Sequence, residues 1–196
     1  SSTGNKYSLW VNVYGVSERY LNVYGEKDLR AQMNQFFHRT YTHPVDGTTL
    51  DMKMLCNWYW YDETAILETG KGTKDWNFYR YAETLLSAAE AIAQSSGVNA
   101  EAAGYLAQVK ARANMEGKDV STIASELQRL GKQAFIEECW KERLREFPLE
   151  MKIWDDCVRT GKFPQISATN KGEVQFVDLI GATNGSGAKF KETDLY

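Results

Sequence analysis

The sequence is poor in the residue types from which disulfide frameworks and metal sites are built. Its 196 residues include three cysteines and two histidines. Cys56, Cys139 and Cys157 are odd in number and have no CxxC spacing, so they indicate neither a disulfide framework nor a zinc site. His38 and His43 belong to no cluster of His, Asp and Glu at helical or turn spacing. We therefore expect no metal and no other cofactor.

An excess of charge of either sign is also missing. The 23 lysines and arginines face 26 acidic residues, which gives a net charge of −3. The basic residues are scattered and stand at helical spacing from acids, as on a solvated helix surface. Nucleic-acid binding calls for a basic stripe, so we expect no nucleic-acid partner.

Long hydrophobic runs and catalytic residue sets are missing as well. No run is long enough for a transmembrane helix, and neither a signal segment nor a lipobox cysteine stands near Ser1. No Ser-His-Asp set or Cys-His pair can be assembled with any specificity. The turn at 184–187 is too short for a phosphate loop and lacks its lysine. We therefore do not expect an enzyme.

The first part of the chain, residues 1–75, mixes aromatic side chains with turn-forming residues, and we expect a loop-rich aromatic segment with short elements. The weak alternation over residues 7–14 favours a short strand. A helix is predicted from an N-cap at Asp28 to about Phe37. Residues 43–47 are predicted as a turn.

From Asp75 onward the hydrophobic spacing becomes helical, and we expect residues 76–196 to form a helical region. A first helix is predicted from an N-cap at Asp75 to about Gly97. Asn99 is the predicted N-cap of a second helix, which ends at Gly117. Small residues on both inner faces allow the two helices to approach closely, as in a tetratricopeptide-like hairpin.

The rest of the helical region contains two predicted breaks. A third helix is predicted from Ser121 to Phe147, with an interruption at Gly131. Pro148 removes a backbone donor and should break the run before a further helical segment. That segment is predicted to end at Gly161, and the residues after it form an extended tail.

The helix before Pro148 carries charge inside its apolar face. Ile136, Trp140, Leu144 and Phe147 share one face at 100° per residue, and Arg143 falls in the middle of it. A buried unpaired charge costs several kcal/mol, so this face must receive carboxylates from elsewhere in the chain. We expect Arg143 to pair across the helix interface. The predicted structural ion network consists of Arg80, Glu83, Glu90, Glu142, Arg143 and Glu146.

The acids of this network have a second interpretation. Glycosidases use two carboxylates at a set separation in a cleft. Here the acids lie beside apolar stripes and next to arginines, which favours a structural ion network over catalysis. The more specific expectation is that Arg143 pairs with Glu83 or Glu90.

Three blocks of the chain, in this order, resemble the SusD/RagB family. They are YRYAETLLSAAEA at 79–91, LAQVKARA at 106–113, and the stretch 142–162, which begins ERLREF and ends VRTGK. The family often has Gly, Arg and Leu where this chain has Met151, Ile153 and Cys157. The resemblance covers roughly residues 70–196.

The resemblance implies a mainly α fold of tetratricopeptide-like helical repeats with long irregular aromatic-rich loops, and a chain that is the C-terminal part of a longer protein. Members are lipid-anchored, surface-exposed outer-membrane lipoproteins of Bacteroidetes that bind oligosaccharides. They pass the ligand to a TonB-dependent transporter over which they sit. The alternative, from a different class, is a helical scaffold that acts only in protein–protein docking.

Loop aromatics are the candidate glycan-binding residues. A sugar ring has an apolar face that stacks on indole or phenol, while its hydroxyl groups take hydrogen bonds at the edge of the ring. The run 57–61 is extended by propensity, with its tryptophans and tyrosines on opposite sides. The alternative is that these rings pack the loops against the helices. The candidates are Trp10, Tyr14, Tyr24, Trp58 and Trp60.

Overall fold

A computed structural model describes residues 16–195, apart from the side chain of Lys53. The strand predicted at 7–14 lies outside these residues. Helices dominate the described part, as predicted, and none of them is long and apolar enough to cross a membrane. In chain order the elements are β1 (Phe37–Thr42), β2 (Thr49–Asn57), α1 (Tyr81–Ser96), α2 (Ala100–Ala111), α3 (Val120–Leu127), α4 (Lys132–Glu146), α5 (Ile153–Thr160), β3 (Lys162–Ile166) and β4 (Val174–Asp178).

Helices α1 and α2 form the predicted antiparallel hairpin. Gly97 ends α1 with a φ of 82°, and the Asn99 side chain accepts a hydrogen bond from the backbone N–H of Ala102 at the start of α2. Both features match the prediction. The inner faces are lined with alanines that are fully buried, so the two backbones pack closely. These alanines are Ala89, Ala93, Ala102, Ala103 and Ala107.

Helix α4 contributes to both hydrophobic cores of the described structure. Phe135 and Cys139 are fully buried in the core that α1, α2 and α3 share. Cys139 is thus a buried thiol, and burial raises its pKa. Near its end, α4 places Leu144 in a second core with residues of the first loop, of both strands of the β1–β2 hairpin and of β4. The proposed division of the chain at residue 75 stays a prediction.

The two hairpins are antiparallel. β1 pairs with β2 through Phe37 opposite Asn57 and Tyr41 opposite Leu50, with an irregular register between His38 and Thr40. Residues 43–47 form the predicted turn between them, and Gly47 adopts a φ of 70° there. β3 pairs with β4 in the tail, so part of the tail is a hairpin.

The early boundaries differ from the prediction at Asp28 and at the end of β2. Asp28 caps only the short turn Leu29–Ala31, and its carboxylate also binds the Arg30 guanidinium. The chain then enters β1, and the predicted helix to Phe37 is wrong. The prediction of extended structure for residues 57–61 is also mostly wrong, because a short 3-10 turn follows Asn57.

The helix ends also differ from the prediction. α1 begins at Tyr81 and not after Asp75, since the guanidinium of Arg80 is held by acids near α4. α2 ends at Ala111 and not at Gly117. α3 begins at Val120, one residue before the predicted start at Ser121, and Asp119 is its N-cap.

The segment after Pro148 is not helical at first. Leu149 and Met151 both adopt a left-handed backbone with φ of 59°, a conformation that costs roughly 1–2 kcal/mol for an L-residue. α5 therefore starts later, at Ile153, and ends at Gly161 as predicted. The strained turn directs Glu150 to Arg80, with 2.8 Å between Oε1 and Nη2.

A first ion network surrounds the buried acids of α4. Glu146 binds Arg30, Arg80 and Arg112 at 3.0, 3.0 and 2.6 Å. Glu142 is fully buried and lies 2.8 Å from Arg30. Burial alone would raise the pKa of Glu142, but the positive charges of Arg30, Lys110 and Arg145 outweigh it and lower the pKa to about 2.

A second network lies on the opposite margin of α4. Arg143 binds Asp156 at 2.7 Å and, more weakly, Glu83 at 3.4 Å. Glu90 accepts two hydrogen bonds from Arg159, at 2.8 Å each, and one from the indole N–H of Trp140. Arg143 therefore pairs with Glu83, and Glu90 pairs with Arg159, which was not in the predicted network.

Replacement of Arg143 by Met should lower the free energy of unfolding by about 3 kcal/mol. This is the lower end of the range for a broken buried ion pair, because Glu83 and Asp156 retain Lys152 and Arg159. The measurement is urea unfolding at pH 7. Arg129→Met is the matched control, since Arg129 is exposed. Equal midpoints for the two variants would contradict the buried network.

The pH dependence of stability should report on Glu142. Its folded-state pKa of about 2 lies below the ordinary value of 4.5, so its charged form stabilises the fold above about pH 4.5. That contribution, about 3 kcal/mol, should disappear as the pH falls from about 4.5 to about 2. The free energy of unfolding of the parent protein, measured with urea from pH 7 to pH 2, should fall steeply with pH. For Glu142→Gln it should fall less steeply, and equal pH dependence of the two proteins would refute this assignment.

Candidate functional site

A cleft of about 350 Å³ lies where the β1–β2 hairpin meets the start of α1 and the end of α4. Another cavity of about 350 Å³ beside α4 is lined by charged residues and by no aromatic ring. The first cleft combines aromatic rings with polar groups, and we call it the aromatic cleft. Its lining residues are Gln35, Phe36, Asn57, Trp58, Tyr59, Arg80, Arg112, Glu146, Pro148 and Glu150.

The end of β2 fixes Trp58 at the cleft wall. The Asn57 side chain accepts a hydrogen bond from the N–H of Tyr59 and donates one to the carbonyl of Pro148, which holds the turn in place. The Trp58 ring stacks on His38 at 3.8 Å and on Tyr61 at 4.6 Å between ring centroids. Trp58 is half-buried, and these stacks occupy ring surface that a ligand would otherwise contact.

Cations flank the ring of Tyr59. The Lys74 ammonium lies 5.0 Å from the ring centroid, and the Arg80 guanidinium lies 6.0 Å from it. The Tyr59 hydroxyl is buried and has no hydrogen-bond partner among the residues that the structure describes. Buried hydroxyl groups are normally hydrogen-bonded, so this one has capacity for a partner.

A further cavity, of about 250 Å³, adjoins the aromatic cleft and shares Arg80 and Arg112 with it. Its other lining residues come from α1 and α2 and include Tyr81 and Gln108. The two arginines therefore stand between two adjoining hollows. Arg80 is held by four hydrogen bonds to Glu146 and Glu150 and is fixed in position.

Exposed aromatic rings lie beside the cleft, on the 3-10 turn after β2 and in the segment that leads into α1. We call these rings the aromatic rim: Trp60 (39% exposed), Trp76 (52%), Phe78 (73%), Tyr79 (76%) and Tyr81 (73%). Trp60 and Trp76 pack edge to face at 5.6 Å. The Lys152 ammonium lies 4.7 Å from the Tyr79 centroid. Exposed rings in such a group mark an interaction surface.

Asp62 holds the loop that presents the rim. Its carboxylate accepts hydrogen bonds from the backbone N–H groups of Ala65, Thr73 and Lys74. Hydrogen bonds from the backbone, led by that of Thr73, lower the pKa of Asp62. The indole N–H of Trp60 donates to the carbonyl of Leu149, which ties the rim to the strained turn after α4.

The structure distributes the predicted glycan-binding residues differently. Trp10 and Tyr14 lie outside the described residues. Trp58 lines the cleft and Trp60 belongs to the rim. Tyr24 requires a correction, because its ring is fully buried in the second core and its hydroxyl donates to the carbonyl of Arg145. Its ring therefore has no open face for a sugar.

Sequence reasoning missed most of the rim. Trp76, Phe78, Tyr79 and Tyr81 fall within six residues, and this density of aromatics was an available signal. The prediction placed residues 76–81 in a helix with its N-cap at Asp75. Since α1 starts only at Tyr81, the rim residues before it lie in a loop.

The cleft is suited to binding. Its two carboxylates, Glu146 and Glu150, both accept hydrogen bonds from Arg80, so neither is a free general acid or base. In the part of the chain that the structure describes, no three His, Cys, Asp or Glu residues are grouped to hold a metal ion. Stacking surfaces and hydrogen-bond donors are what the arrangement offers.

Comparisons with known proteins support the fold described above. A family model described as the SusD family matches residues 10–190. The fold is similar to the crystal structure of a SusD superfamily protein from Parabacteroides distasonis, with a TM-score of 0.77 and 27% identity. That match covers 97% of this chain and 40% of the other, so the chain spans less than half of that relative's length. No curated protein matches the chain.

Replacement of a rim ring should affect stability much less than replacement of a core ring. Trp76→Ala should change the free energy of unfolding by about 0.5 kcal/mol or less, because the ring is exposed. Tyr24→Ala should cost about 3–5 kcal/mol through the cavity it leaves. Urea unfolding at pH 7 measures both values. A large cost at Trp76 would show that the rim is part of the core.

Proposed function

The chain belongs to the SusD family, and from that premise we propose that it is part of a cell-surface protein that captures oligosaccharides at the aromatic cleft and the aromatic rim. The observation that carries the proposal is the group of exposed rings beside a cleft with hydrogen-bond donors. Sugars bind to such surfaces by stacking on rings and hydrogen bonding at their edges.

The size of the surface sets the expected affinity. One ring that buries roughly 50–100 Å² of apolar surface contributes about 1–2.5 kcal/mol. Two or three rings, less the cost of ordering the ligand, give dissociation constants from high micromolar to millimolar. Weak binding suits a protein that hands its ligand on.

We further propose a place for this protein in nutrient uptake. By analogy with its family, it is lipid-anchored at the outer membrane and passes the oligosaccharide to a TonB-dependent transporter. The engaged carboxylates of the cleft support a role in binding without catalysis. Substrate turnover by the purified protein would contradict that part of the proposal.

A helical scaffold that only docks to other proteins is the second candidate. One observation favours it: tyrosine and tryptophan are also enriched at the centres of protein interfaces, and the rim contains both. The two candidates differ in whether the rim binds free glycan.

Affinity electrophoresis of the purified protein in gels that contain a panel of polysaccharides tests the proposal. Trp76→Ala and Tyr79→Ala should each raise the dissociation constant obtained from the retardation about 5- to 70-fold, which corresponds to one lost ring. Trp154→Ala is the matched control, because Trp154 lies on α5, is 41% exposed and packs against Phe190.

Each outcome distinguishes the candidates. Retardation that is lost in the rim variants and kept in Trp154→Ala supports capture at the rim. Equal loss in all three variants contradicts this location. No retardation by any polysaccharide contradicts glycan capture and favours the scaffold.

A further inference from the structure

We infer that the captured glycan is acidic and that Arg112 binds its carboxylate or sulfate group. This inference rests on the proposed function and deepens it by naming the ligand class. Its basis is the state of the charged groups at the aromatic cleft, where the acids are engaged and a guanidinium group is largely free.

Arg112 has the position that a ligand-binding group needs. It directly follows α2, and its side chain is 60% exposed. It lines both the aromatic cleft and the adjoining cavity. Its guanidinium donates one hydrogen bond, from Nη2 to Glu146, and its other N–H groups have no partner among residues 16–195. A guanidinium group carries five N–H donors, so most remain available.

The acids of the cleft are already engaged. Glu146 serves Arg30 and Arg80 as well as Arg112, so one carboxylate is shared by three guanidinium groups. Both oxygens of Glu150 accept from Arg80. Arg112 is therefore only partly compensated, and the cleft has no free carboxylate to repel an anion.

A second cation stands close by without an acid of its own. The Lys74 ammonium lies over the Tyr59 ring and donates to the backbone carbonyl of Tyr59. No carboxylate pairs with it among the residues that the structure describes. Asp62, in the same loop, uses its oxygens for backbone N–H groups. The amide of Gln35 is exposed at the same cleft and adds further donors.

These donor groups favour a ligand whose hydrogen-bond acceptors carry negative charge. Carboxylate and sulfate oxygens accept from guanidinium in pairs, and charge-assisted bonds are roughly twice as strong as neutral ones. A neutral sugar offers only hydroxyl groups, which gain much less from a free guanidinium. The rings of the rim would stack on either sugar, so they provide affinity while Arg112 provides selectivity.

The test compares matched acidic and neutral polysaccharides by affinity electrophoresis. The carboxylate arm uses polygalacturonate against its carboxyl-reduced form, and the sulfate arm uses carrageenan against its desulfated form. The parent protein should bind at least one acidic polymer about tenfold or more tightly than its neutral form. Arg112→Gln should remove most of that preference, because it should weaken binding of the acidic polymer much more than binding of the neutral one.

The variant is suited to the test because Glu146 keeps Arg30 and Arg80 as partners, and glutamine can still donate to it. Thermal melting checks that Arg112→Gln folds. Arg129→Gln removes the same charge from an exposed position outside the cleft and should retain the preference. Arg112→Lys should have an intermediate preference, because it keeps the charge but not the paired donors.

The outcomes separate this inference from the proposed function. Preference for only one acidic polymer supports the inference and identifies the anion. Equal binding of acidic and neutral forms overturns the inference while glycan capture stands. A preference that is equally lost in Arg129→Gln reflects bulk charge and also overturns it. Binding to no polysaccharide overturns both proposals.

Discussion

One buried carboxylate connects the parts of this structure. Glu146, at the end of α4, is 2% exposed and binds arginines from three separate segments: the first loop, the start of α1 and the end of α2. Glu146 would be costly to bury without these arginines, and Arg30, whose side chain is 6% exposed, would be costly to bury without its acids. The loop, the helical hairpin and α4 therefore come together around the Glu146 carboxylate.

The same interaction builds the aromatic cleft. Arg80 is fixed by Glu146 and by Glu150, which the strained turn after Pro148 brings into reach. Strained residues persist where the surrounding structure determines them, and they are common near functional sites. Because Arg80 directly precedes α1, its anchoring also leaves the preceding aromatic residues in a loop on the surface. A structural ion network and a candidate binding surface thus depend on the same residues.

Particular residues show how far sequence reasoning reached. The small inner faces of α1 and α2, the cap at Asn99 and the ends at Gly97 and Gly161 depend on local sequence alone, and all were predicted. The start of α1 was not, because a tertiary ion pair at Arg80 decides it. Tyr24 was predicted to be a glycan-binding loop residue and Tyr79 to lie within the first helix, yet the Tyr24 ring is fully buried and Tyr79 lies in a loop and is 76% exposed. Burial depends on neighbours that are far away in the chain.

The sequence by itself determined the helical hairpin, the need of Arg143 for carboxylate partners, and the family, since periodicity, caps and motif blocks are read within short stretches. Only the tertiary structure decided that Glu146 is the shared acid, that Asp28 leads into a strand, and which aromatic rings face solvent. The physical reason is that charge pairing and burial are satisfied between segments more than 30 residues apart, as between Arg112 and Glu146, 34 residues apart.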